Sequence, residues 1–175
     1  MTMRHLHVAP GYVVLSILWL LLGTMAQAAS PRALLGPPCQ ANQRVVECLA
    51  AHHTELFETD EERFTEMLIR VERDARRCKP LERTREYVEL VRTVRADGWV
   101  AESVDETVEH LIRWKPRCFL DALVASDPEA RVWVVDIFLE PSLHAESPRH
   151  WMKAVMQKYR KEPKYQEIMR QYFGE

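Results

Sequence analysis

Glycine is scarce in this sequence. There are 5 among 175 residues, and only Gly36, Gly98 and Gly174 fall beyond residue 28. No G-x-x-x-x-G-K-[ST] and no G-x-G-x-x-G occurs, so the backbone cradles that hold nucleotide phosphates are missing. No G-x-S-x-G elbow presents a nucleophilic serine. H-E-x-x-H is absent too, and the adjacent His52 and His53 would point about 100° apart on a helix, too far to share a metal. C-x-x-C and C-x-x-C-H are absent, which argues against a thioredoxin-like redox pair and against covalent haem. The cysteines also lack the close pairs of a structural zinc site. No cofactor and no metal are expected. The net charge of −2 leaves no basic footprint for nucleic acid.

Long apolar runs are also lacking, with one exception. Tyr12 to Leu22 is apolar apart from Ser16 and follows a weakly positive start at Arg4, His5 and His7. Ala26-Gln27-Ala28 then supplies small residues at −3 and −1. The run is too short to span a bilayer and suits a signal peptide over residues 1–28. The expected mature chain is soluble and exported: periplasmic in a Gram-negative cell, secreted otherwise. Its size suits one domain with a real core. Residues 29–41 contain Pro31, Pro37 and Pro38 and read as a tether.

Four cysteines are present: Cys39, Cys48, Cys78 and Cys118. An even number in an exported chain reads first as disulfides. If the first two helices form an antiparallel hairpin that turns near residue 58, facing residues have numbers summing to about 117. That rule pairs Cys39 with Cys78 and leaves Cys48 for Cys118. The rival pattern is Cys39–Cys48 with Cys78–Cys118. A third reading keeps Cys78 as a reactive thiol or metal ligand, because Arg76, Arg77 and Lys79 would lower its pKa.

From Asn42 to the end, nearly every segment has helical period. The first helix is expected over 42–57, with Val45, Cys48, Leu49, His52 and Leu56 on one stripe. A capping box at Thr59–Glu62 starts the second, whose stripe runs from Phe64 to Cys78. The third spans about 81–96, ending at Gly98. Ser103–Glu106 is a second capping box and opens the fourth, to about Trp114. Short fifth and sixth helices begin at Pro116 and at Asp127-Pro128, the sixth ending near Glu140. Its "RVWVVDIFL" is rich in β-branched residues, but the cap favours helix. The seventh starts at Ser147-Pro148 and the eighth at Pro163. The fold class is all-α: an up-down bundle or short α-solenoid of seven to eight helices over 42–175.

Two local likenesses bear on fold and function. "LVASDPEARVWVVDIFL" resembles, over one turn, the inter-helix turn of HEAT-like repeats. The Glu102-Ser103 pair resembles the catalytic Glu-Ser of peptidoglycan lytic transglycosylases, which implies a glycan-cleaving acid at Glu102. The glycine-rich segment expected downstream in that family is missing; "AVMQ" at 154–157 comes late and lacks the glycine. The competing reading makes Ser103 an N-cap.

Up-down packing makes the charge polar. The turns near 57–62, 97–105 and 126–129 share one end and are acidic. The turns near 76–85 and 113–117 share the other, where Arg76, Arg77, Lys79, Arg83, Lys115 and Arg117 form a candidate binding surface. A second candidate docking face is the aromatic and methionine set Trp151, Met152, Tyr159, Tyr165 and Tyr172, most of which should be core. The expected function is non-catalytic binding of a protein or an anionic envelope component, with adaptor, inhibitor or immunity-type roles all fitting. The alternatives are the Glu102 enzyme and the Cys78 thiol or metal site.

Overall fold

The computed structural model describes residues 35–94, 98–139 and 146–174. Among them are eight α-helices and no strand: α1 Val45–Thr59, α2 Glu61–Arg77, α3 Leu81–Val94, α4 Trp99–Trp114, α5 Pro116–Ala125, α6 Pro128–Leu139, α7 Glu146–Tyr159 and α8 Gln166–Phe173. A 3-10 turn, Pro163–Tyr165, precedes α8. The expected all-α class and helix number are observed. The proposed signal peptide lies outside the described residues.

Local chemistry explains most boundaries. Asp60 is the single residue between α1 and α2, and its side chain accepts from Arg63 N at 3.3 Å. Thr59, read as the start of a capping box, instead ends α1 and bonds back to Glu55 O at 2.6 Å. The β-branched run is helical, as expected. Asp127 Oδ1 accepts from Glu129 N at 2.8 Å and Ala130 N at 3.3 Å, and Pro128 needs no donor partner at N1. His52, expected on the apolar stripe, sits half-exposed at a kink in α1, with φ −133° and ψ 17°.

Helix α4 is longer than the capping box suggested. It starts at Trp99, with Gly98 as N-cap at φ 72°, ψ −144°. Ser103 is therefore inside the helix and is not its cap. Glu102 lies in the first turn and is exposed.

Packing centres on α3. Tyr87, Val88, Leu90, Val91 and Val94 are all buried, and the helix contacts α1, α2, α5 and α6. The order is not a simple meander. Helix α4 packs mainly on α7, α5 and α2, and α8 packs on α6. Tyr87 and Phe119 fill the interior without residual exposure, with Leu49, Met67, Leu111 and Met156 around them.

The disulfides are Cys39–Cys48 and Cys78–Cys118, with Cα atoms 5.4 Å and 6.2 Å apart. The pairing Cys39–Cys78 with Cys48–Cys118 is incorrect. Its sum rule holds only between helical residues, and α1 begins at Val45, six residues beyond Cys39. Before it, Cys39 N bonds Gly36 O at 2.7 Å and Gln43 N bonds Gln40 O at 3.1 Å. Those turns fold Cys39 back onto α1, where it is 5 % exposed. Within residues 35–41, Cys39 is buried and Leu35 packs against the core, and Arg63 Nη2 donates to Pro37 O at 2.7 Å. At the other end, Cys78 follows α2 in the left-handed region (φ 59°), which aims it at α5.

Candidate functional site

Between α2 and α4 lies a groove of about 490 Å³, lined by Ile69, Glu72, Arg73, Arg76, Arg77, Ser103 and Glu106. Glu72 is its buried acid, 4 % exposed. The Ser103 hydroxyl lies 2.9 Å and 2.8 Å from the two Glu72 carboxylate oxygens and donates its one proton between them. Arg76 donates through Nε and Nη2 to Thr107 Oγ1 at 3.0 Å and 2.6 Å. Burial pushes the Glu72 carboxyl above the usual carboxylate range, opposed by the Ser103 bond and the nearby Arg76 charge. Burial likewise raises the Tyr87 phenol, and the Glu72 charge adds to it. A polar seam thus joins α2, α3 and α4, with most of its groups bonded to one another.

Glu102, the residue considered as a glycosidic acid, does not line this groove. A glycosidic acid needs a raised pKa inside a cleft. Glu102 faces solvent, and the groove acid is Glu72. Composition near residue 102 held no hint of this, because Ser103 meets Glu72 from 31 positions away.

The thiol or metal reading of Cys78 is also corrected. None of the four cysteines is free. Thr84 supports the Cys78–Cys118 bridge: it donates to Ala75 O at 3.0 Å, and its hydroxyl lies 3.5 Å from Cys118 Sγ. Arg76 and Arg77 close α2 where the helix dipole favours cations, so the basic context has a structural cause.

That bridge gathers the expected basic turns at one end of the bundle. Residues 76–85 and 113–118 meet across it, and a third turn joins them. Arg117 pairs with Glu162 at 3.1 Å, and Lys164 pairs with Asp121 at 2.6 Å. The candidate cations divide into two kinds. Arg76 turns inward to Thr107, Arg77 pairs with Asp74 at 3.5 Å, and Arg83 pairs with buried Glu86 at 3.1 Å. Lys79 and Lys115 are exposed and have no ion-pair partner among the described residues. Lys161 in the third turn is the same; the sequence placed it with the aromatic and methionine face of the last two helices, because that segment reads as helix. Burial and then the charges of Arg76 and Lys115 push the His110 imidazole down, as a positive local potential requires.

Two of the acidic turns meet at the far end, and the third is tied to α3. Trp99 Nε1 donates to Glu61 at 3.3 Å, and the Phe57 and Trp99 ring centres are 6.4 Å apart, which joins 57–61 to 98–99. Asp127 N donates to Glu89 at 3.3 Å, and Arg92 reaches Glu129 at 2.5 Å.

The second docking face largely dissolves into core. Met152, Tyr159 and Tyr165 are buried, and Tyr172 is half-buried. Tyr165 donates to Asp121 Oδ1 at 2.6 Å. The period that selected them is the inward stripe of α7 and α8. Trp151 remains exposed, and it meets Arg113, a cation of the basic turn at 113–117. The Arg113 guanidinium lies 4.9 Å from the Trp151 ring centre and 5.4 Å from that of Trp114. Trp114 is 66 % exposed, more than any other large apolar side chain described. The chain matches no known protein family, no curated protein and no solved structure.

Proposed function

We propose that this protein is an exported, disulfide-stapled helical domain with a non-catalytic binding role, and that its basic end is the working surface. The observation that carries the reading is the convergence of three turns around the Cys78–Cys118 bridge. Among the described residues, they leave Lys79, Lys115 and Lys161 without ion-pair partners and Trp114 in solvent. Export is supported by the sequence of residues 1–28 and by the use of every cysteine in a disulfide, a state that oxidising compartments sustain. Among the described residues, no helix is long and apolar enough to cross a membrane. A non-catalytic role is supported by the groove, where Glu72 bonds Ser103 and Arg76 bonds Thr107. The partner is an anionic component of the envelope or an acidic protein.

The test expresses the full chain in an exporting host. Intact mass reads the new N-terminus, expected at Ala29, and alkylation without reductant should label no cysteine. Envelope association is then measured for the parent and for a Lys79→Glu, Lys115→Glu, Lys161→Glu variant. Loss of association in the variant is expected. Equal association would remove the basic end from the reading.

A further inference from the structure

The cations at the basic end are of one type where they are free. The arginines there are engaged: Arg113 with Glu109 at 2.8 Å, Arg117 with Glu162, Arg83 with Glu86 and Arg77 with Asp74. Within the three turns the charges left unpartnered among the described residues are lysines; Arg73, one turn back along α2, is also exposed without an ion-pair partner. Arginine is the residue of planar, bidentate carboxylate recognition, whereas lysine is a hydrated point charge on a flexible stem. A set of free lysines therefore suits a diffuse negative surface better than a defined acidic epitope. Anionic lipid headgroups present such a surface, and basic residues near it are attracted additively.

The apolar side chains at this end fit the same partner. Trp114 ends α4 beside Lys115, and Leu81 begins α3 just after Lys79; both are exposed. Trp151 and Trp114 both lie against the Arg113 guanidinium. Tryptophan flanked by basic residues is favoured at a membrane–water interface, where its ring sits at headgroup level. The opposite end carries Glu61, Asp127 and Glu129, so a negative surface would orient the domain basic end first.

We infer that this end docks on an anionic lipid bilayer, with Trp114 and Trp151 in the headgroup layer and Lys79, Lys115 and Lys161 against its negative charge. The inference rests on the binding role proposed above for the same end and names its partner.

The test uses the exported, oxidised protein and sedimentation with vesicles. One set mixes phosphatidylglycerol with phosphatidylcholine; the other is phosphatidylcholine alone. Binding to the anionic set only, weakening as salt rises, is expected. Lys115→Gln should weaken partition about fivefold, and Lys79→Gln and Lys161→Gln by similar factors. Trp114→Ala should weaken it about tenfold. Each variant shares the parent's N-terminus, so the differences report the basic end alone, and circular dichroism confirms that each is folded. Equal binding to both vesicle sets, or anionic binding indifferent to these substitutions, would overturn the inference. So would capture by soluble polyglutamate with no vesicle binding, which marks an acidic polypeptide as the occupant. In that last case the envelope-association result above still stands, so the two readings fail separately.

Discussion

The hydroxyl of Ser103 on α4 holds the buried carboxylate of Glu72 on α2, at 2.9 Å and 2.8 Å from its two oxygens. The bond favours the charged acid while burial disfavours it, and burial wins. The folded protein therefore binds the Glu72 proton more tightly than the unfolded chain does. Its contribution to stability is fully present below the ordinary carboxylate pKa and is lost as pH rises through the raised folded value. Urea midpoints across that window should show this fall for the parent, and Glu72→Gln should flatten it. Ser103→Ala should destabilise by about 1–2 kcal/mol and carry the fall to higher pH, because burial is then opposed only by Arg76 and Thr107.

Asp121 runs the opposite way. Burial opposes its ionisation, but the bonds from Lys164 and Tyr165 prevail and hold the carboxyl below its usual value. Its contribution is present above the ordinary carboxylate pKa and is lost as pH falls through the lowered folded value. Asp121→Asn should cost about 1 kcal/mol at neutral pH, reduced by solvent screening at this partly exposed site. Parent and variant should converge in urea titrations at acid pH.

The two disulfides should differ in weight. Cys78–Cys118 closes a span of 40 residues and Cys39–Cys48 one of 9. Chain entropy assigns them about 4 and about 2.5 kcal/mol. Paired alanine variants, Cys78→Ala with Cys118→Ala and Cys39→Ala with Cys48→Ala, should rank in that order in thermal melts. Non-reducing peptide maps should join the Cys78 peptide to the Cys118 peptide.

Gly98 should resist substitution for backbone reasons alone. A Cβ there meets nothing within 4 Å, yet φ is 72° with ψ −144°, a combination that only glycine adopts readily. Gly98→Ala should cost about 1–3 kcal/mol in chemical denaturation.

Asp127-Pro128 shows what local sequence could determine. Its cap and its N1 proline mark the start of a helix from local sequence alone, and they signal helix for the β-branched run that follows. The same local logic specified the other helices and the inward stripes of α2, α3, α7 and α8, because a 3.6-residue period is a property of neighbouring residues. It misplaced the start of α4, where Ser103 has the composition of a cap and the position of an interior residue. It also could not distinguish free from engaged cations, or Cys78–Cys118 from Cys39–Cys78. Arg117 finds Glu162 from 45 positions away, Arg44 finds Glu86 from 42, and Cys78 meets Cys118 from 40. Those meetings depend on how helices lie against one another. The packing of α3 against its four neighbours decides that, and no periodicity within a single helix encodes it.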